Sequence, residues 1–162
     1  MLHRIFIAVN LPENIKNKLA AYQEKWSDLP ARWTKKENLH ITLEFLGYLP
    51  AEEIMELCQK IREDALAKKP FFVRLNKICY GPVQKDYKKP ARMVWAIGEK
   101  IQEFNIIPHI TLARIKNWEF KQIEPDQRPE INEDINLNFE VNSIEIMQSR
   151  LKKSAPRFLR KN

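Results

Sequence analysis

Glycine is nearly absent: Gly47, Gly81 and Gly98 are the only three in 162 residues, and no two are close together. Loops that wrap backbone amides around phosphate need clustered glycines, so neither a Walker-type loop nor a dinucleotide fingerprint is available. Any phosphate chemistry must therefore use side chains. Cysteine is equally scarce. Cys58 and Cys79 sit in apolar surroundings without CxxC spacing, which reads as two reduced, buried thiols. No apolar run is long enough to cross a bilayer, and Met1–Leu11 is too short and too polar for a secretory signal. A cytoplasmic protein is expected. No serine lies in a nucleophile elbow, which argues against Ser–His–Asp catalysis. Histidine occurs only as His3, His40 and His109, with no cysteine or carboxylate at ligand spacing, so neither a metal nor another cofactor is expected.

What the chain does have is positive charge. Lysine and arginine outnumber acids by enough to give a formal net charge of +7, which suits a polyanionic partner such as RNA or simply a solvated basic surface. Aromatic residues make up about a tenth of the sequence, enough for a packed core in one domain of this length.

Two of the three histidines open the same tetrapeptide, His-Ile-Thr-Leu, at His40–Leu43 and at His109–Leu112. Around these repeats the chain reads as two similar halves. Arg4–Asn10 is a β-rich run. Ile15, Leu19, Tyr22 and Trp26 then recur at helical spacing, and the helix ends before Pro30. The first motif strand, Leu39–Leu46, is closed by Gly47; a helix follows from Ala51 to about Lys68, then a strand over Phe71–Tyr80. In the second half Arg92–Ile97 and Ile107–Ile115 are strand-like, and Leu137–Ser149 is a further strand region. The distance from motif histidine to next strand is similar in both halves, as a duplication requires. Gly98–Asn105 has room for two helical turns at best, so a pared second lobe is expected. Tyr80–Ala91 and Lys116–Asn136 read as loops. Arg150–Asn162, with six Lys or Arg and no acid, reads as a solubilising tail or a polyphosphate-contacting edge.

Alternation along a strand puts residues i and i+2 on one face. His40 then projects with Thr42, and His109 with Thr111, while Ile41, Leu43, Ile110 and Leu112 face a core. Two imidazoles titrating near neutral pH, set across a cleft with two hydroxyls, suit phosphodiester cleavage. A neutral imidazole takes a proton from the attacking group and a protonated one supplies the departing oxygen. The hydroxyls can hold the non-bridging oxygens.

With RIFIAVNLPENIKNKL, RWTKKENLHITLEFLG and PHITLARIK in place, the chain resembles the 2H phosphoesterase superfamily. Within it, the chain is similar to the RNA 2′,3′-cyclic phosphodiesterases, also called 2′-5′ RNA ligase-like, from about residue 3 to about residue 150. The resemblance implies an α+β fold of bilobal, pseudo-duplicated type, with two antiparallel sheets flanked by helices around a central basic cleft. It implies a single domain over residues 1–162, each lobe supplying one His-x-Thr motif. It also implies metal-independent hydrolysis of a terminal 2′,3′-cyclic phosphate to a 2′-phosphate. His40 would be the acid at the 3′-oxygen and His109 the base on water. Thr42 and Thr111 would bind phosphate, Arg114 would contact phosphate or base, and Phe45 would stack a nucleobase. Arg114 and Phe45 lie an odd number of residues from their histidines. Strict alternation sends them to the core side, and only a bulge or a strand end brings them to the cleft. The connection before His109 is shorter than the family's. The partner implied is RNA ending in a 2′,3′-cyclic phosphate, tRNA fragments included, acted on by a monomer away from membranes. A 2′-5′ RNA ligase, a relative acting on another cyclic phosphate, and an RNA-binding module with secondary catalysis remain open.

Overall fold

The computed structural model describes residues 1–66, 68–82, 90–152 and 155–160, with backbone alone for 66, 150–152 and 155–160. In chain order the elements are β1 (Leu2–Asn10), α1 (Glu13–Glu24), β2 (Ala31–Trp33), β3 (His40–Pro50), α2 (Ala51–Leu66), β4 (Phe71–Gly81) and β5 (Met93–Gly98). They continue with β6 (His109–Ile115), α3 (Asn117–Lys121), β7 (Asn132–Val141), β8 (Glu145–Lys152) and β9 (Ala155–Arg160). All strand pairs are antiparallel, and they form two sheets ordered β3-β1-β8-β9 and β2-β6-β5-β4-β7.

Local chemistry accounts for the junctions. Pro12 cannot donate to a sheet, so β1 stops just before it. Its carbonyl then accepts the N–H of Ile15 and of Lys16, each at 3.0 Å, which starts α1. One face of each sheet and the apolar stripe of α1 meet in a continuous core. Ile7, Val9, Ile41 and Leu43 come from the first sheet; Ile78, Val94, Ala96 and Ile110 from the second; Ile15 and Leu19 from the helix. Burying each such large aliphatic chain is worth ~1.5–3 kcal/mol.

The sequence halves do not fold as separate sheets. β2 and β4, from the first half, join β5, β6 and β7, while β8 pairs with β1, Arg4 facing Ser149. The second sheet is consequently the larger one, so the paring expected of the second lobe lies in its connection and not in its sheet. That connection forms no helix; it is a tight turn pinned by bonds between Ile101 and Ile106. The Leu137–Ser149 region divides into β7 and β8, which lie in different sheets. The loop expected over Lys116–Asn136 contains α3 and the start of β7. Because β7 begins at Asn132, the equal spacing between motif and next strand is not kept. The backbone of the expected basic tail continues β8 and returns as β9. Its side chains, and residues 83–89 of the loop expected over Tyr80–Ala91, lie outside the described residues.

What the halves do share is register. On β3, Ala8 faces Thr42 and Ile7 faces Glu44, so Leu43 has no partner on β1. On β6, Trp95 faces Thr111 and Val94 faces Ala113, so Leu112 has no partner on β5. The leucine of each His-Ile-Thr-Leu motif is thus the extra residue of a β-bulge, and each bulge reverses the facing of the residues that follow it, in β3 as far as the next irregularity. A second extra residue, Leu46, precedes Gly47 at φ 90°, a conformation that strains any residue with a Cβ.

The bulge in β6 is braced from outside its own hairpin. The Leu112 carbonyl accepts the Thr34 N–H at 2.8 Å and the Gln23 side-chain amide at 3.0 Å. The same amide donates to the Thr34 carbonyl at 2.9 Å, and the Thr34 hydroxyl donates to the Thr111 carbonyl at 2.8 Å. Replacing Gln23 by leucine removes two partly buried donors and leaves the Thr34 carbonyl without the amide's N–H. Gln23→Leu is expected to lower unfolding free energy by ~1–2 kcal/mol in urea titration. An unchanged midpoint would mean that the amide bonds add nothing to the brace.

Candidate active site

The two motifs sit at the start of β3 and β6, one in each sheet, and these strands approach within 8 Å between Cα atoms. Alternation holds through the first four residues of each. Ile41, Leu43, Ile110 and Leu112 are buried in the shared core, while His40, Thr42, His109 and Thr111 are half-buried on the opposite faces. Positive charge on His109 disfavours charge on His40. His3, by contrast, lies apart from them and accepts a hydrogen bond from the Gln148 amide at 2.6 Å.

Both catalytic candidates are held the same way. His40 Nδ1 lies 2.7 Å from the carbonyl of Asn38, two residues upstream. A carbonyl only accepts, so Nδ1 carries the proton and Nε2 is left for chemistry. His109 makes the corresponding backbone hydrogen bond to Ile107, again two residues upstream. Burial holds both imidazoles below the ordinary histidine pKa, and the carbonyl bonds oppose that shift. At His40, the positive charges of His109 and Lys16 lower it further.

The bulges decide where Phe45 and Arg114 go. Beyond Leu43 the facing reverses, so Phe45 lies opposite Phe6, on the His40 side. Its ring is 61 % exposed, 5.9 Å from the Phe6 ring and beneath the Arg4 guanidinium, which sits 5.2 Å from its centroid. The Phe6 ring in turn lies 5.4 Å from His40. Phe45 is therefore not a core residue. Beyond Leu112, Arg114 lies opposite Met93 and is exposed on the His109 side, between buried Ala113 and Ile115.

Several residues around the site carry no motif in the sequence. Trp95, from β5, stacks on His109 with ring centroids 4.3 Å apart and planes 29° from parallel. Its indole Nε1 is buried and makes no hydrogen bond among the described residues. Gly81 on β4 must lack a side chain because the Trp95 ring occupies the space a Cβ would take. The position facing Thr42 that corresponds to Trp95 holds Ala8. One imidazole is thus walled by an indole and the other leaves that space small. Arg32, on the edge strand β2, faces Arg114 directly. These roles come from strand pairing, for which the sequence carries no local signal. Among the described residues no group of three or more His, Cys, Asp or Glu converges as a metal site would require, and no helix there is long and apolar enough to cross a membrane. Cys58 and Cys79 are free, half-buried thiols.

Known proteins resemble this chain in sequence and in fold. The family described as LigT like Phosphoesterase matches residues 9–91, which include the first motif. A Methanocaldococcus jannaschii protein named RNA 2′,3′-cyclic phosphodiesterase is 30% identical over 94% of this chain and 95% of its own length. An Aquifex aeolicus protein of the same name is 25% identical over 94% of this chain and 92% of its own. Among solved structures, a Thermus thermophilus protein superimposes with a TM-score of 0.81 at 25% identity, covering 98% of this chain and 95% of that one. The E. coli LigT complex with phosphate gives 0.71 at 22% identity, covering 99% and 95%, a likeness of fold. With both motifs, their bulges and the two-sheet topology accounted for, the chain belongs to the LigT-like phosphoesterase family.

Proposed function

We propose that this protein hydrolyses 2′,3′-cyclic phosphate ends of RNA to 2′-phosphates by acid–base catalysis between His40 and His109. The observation that carries the reading is the matched pair of motifs. Each imidazole is fixed through its backbone bond to a carbonyl two residues upstream, with a threonine beside it on the same face. The names of the archaeal and bacterial relatives support the substrate. The single domain, with one motif from each of two pseudo-symmetric lobes, belongs to the same proposal, as do action as a monomer and a cytoplasmic setting.

In the proposed reaction, water attacks phosphorus and loses its proton to the neutral Nε2 of His109. The bond from phosphorus to the 3′-oxygen breaks, and that oxygen takes the proton held by His40. The product is a 2′-phosphate with a free 3′-hydroxyl, and the two imidazoles end with their protonation states exchanged. Thr42 and Thr111 donate to the non-bridging oxygens, whose charge grows as water adds. Arg114 contacts phosphate or base, and Phe45 offers a face for the terminal nucleobase.

Three outcomes are expected. Replacing either histidine by alanine lowers kcat by ~10²–10⁴-fold on a mononucleoside 2′,3′-cyclic phosphate in EDTA, and full turnover by His109→Ala defeats the mechanism. Chromatography of the product separates the reading from its rivals: a 2′-phosphate supports it, whereas a 3′-phosphate or joined RNA ends do not.

The third concerns pH. The acidic limb of kcat/KM reports protonation of the base, and the alkaline limb reports loss of the acid's proton. Burial lowers both histidines, so the maximum falls below pH 6.5, the ordinary histidine value. Rate is lost as pH rises from there. A bound phosphate anion favours imidazolium, so the kcat profile sits to the alkaline side of kcat/KM. A profile flat from pH 6 to 9 would rule out His40 as the acid.

A further inference from the structure

We infer that Arg32 and Arg114 form a paired anion site that grips the RNA backbone upstream of the reacting end, so that the protein prefers an oligonucleotide to a mononucleotide. The inference rests on the proposed function for the identity of the chain's end and on strand register for everything else.

Arg32 of β2 and Arg114 of β6 are direct cross-strand partners. Opposed residues of an antiparallel pair point to the same face, with Cα atoms about 4.5–5.5 Å apart. That face is the one bearing His109 and Thr111, because the Leu112 bulge reverses Arg114 and alternation on β2 sends Ala31 and Trp33 to the core instead. Both guanidinium side chains are exposed, and neither takes part in an ion pair among the described residues. Like charges directly opposite one another destabilise a sheet. Two unpaired arginines held in that relation form a fork suited to phosphate oxygens.

Position then selects the phosphate. Allowing for the bulge, four strand steps separate the Arg32–Arg114 row from His109, roughly 13 Å at ~3.3 Å per residue. A phosphate held between the imidazoles is too far from that row to be its sole occupant. A 2′,3′-cyclic phosphate is a 3′ end, so the only further phosphates belong to the chain running 5′ from it. The other motif strand cannot take that chain in the same way. Five residues past His40 stands Phe45 with Phe6 opposite, an aromatic pair with the single guanidinium of Arg4 over the Phe45 ring; five past His109 stands Arg114 with Met93 on one side and Arg32 on the other. The terminal base and the departing backbone therefore have different halves of the site.

The test compares wild type, Arg32→Gln and Arg32→Lys. Substrates are a mononucleoside 2′,3′-cyclic phosphate and a ten-nucleotide RNA ending in the same group. Arg32→Gln is expected to reduce the oligonucleotide-over-mononucleotide ratio of kcat/KM about tenfold, mostly through KM. The salt dependence of oligonucleotide binding should fall by about one unit of log–log slope. Arg32→Lys should keep the slope and regain part of the ratio. Its melting temperature should be unchanged or raised for Arg32→Gln, since the like-charge opposition is relieved. An unaltered ratio, an equal loss on both substrates, or a lowered melting temperature overturns the inference. If wild type cleaves neither substrate, the functional reading has failed instead. Anisotropy with the ten-nucleotide RNA ending in a 2′-phosphate still decides Arg32: binding weakened by Arg32→Gln supports it, and equal binding overturns it.

Discussion

The site depends on one residue in each motif strand that has no counterpart on one neighbouring strand, Leu43 on β1 and Leu112 on β5. Leu43 and Leu112 are inserted into their ladders, and each insertion turns the strand over without breaking it. Upstream of the leucine, hydrophobic Ile41 or Ile110 faces the core and the His-x-Thr pair faces out. Downstream, residues that regular pleating would have buried come to the surface beside the histidine. A strand has only two faces, and a regular one cannot present His40, Thr42 and Phe45 together. The bulge supplies the missing half-step. The cost is a carbonyl and an N–H removed from the ladder, and at Leu112 the carbonyl is recovered by Thr34 and Gln23.

Register also shows where the two halves have diverged. The backbone plan is common to β1–β3 and β5–β6, down to which residue opposes which. The side chains hung on it differ in character: alanine against tryptophan beside the threonines, phenylalanine against arginine past the bulges. A symmetrical backbone thus presents an asymmetrical surface, an aromatic pair under one guanidinium at one end and two facing arginines at the other. That difference is what a phosphodiester needs, since its two sides are a nucleoside and a charged chain. The indole on His109 adds a second distinction, because a stacked aromatic face favours a cationic ring while burial disfavours it.

Much of this was legible in the sequence, and the reasons are physical. The repeated tetrapeptide gave the pairs His40–Thr42 and His109–Thr111 because alternation is a local property of any strand. The helices over Glu13–Glu24 and Ala51–Leu66 were legible for the same reason, their apolar spacing being local. Phe45 and Arg114 could be named from the resemblance but not placed, since a bulge depends on which strand lies alongside. Trp95, Arg32, Gln23 and Thr34 escaped altogether. Each acts through a residue 11 to 89 positions away in one direction or another, as the Gln23 amide does in reaching both Thr34 and Leu112. The tail hairpin escaped because its composition is basic and its partner strand was read as ending at Ser149.

The exchange of strands between sheets has a consequence for how the molecule comes into being. β1 is an interior strand of its sheet, with β3 on one side and β8 on the other. During synthesis the first neighbour emerges early, but Ser149, which faces Arg4, is made long after it. His40 is thus laid down on a half-built sheet with an open edge, a surface prone to wrong pairing until the late strand arrives. Cutting the chain between the motifs would not yield two simpler ancestors of the site. Each fragment would own a histidine and lack a strand that its sheet requires.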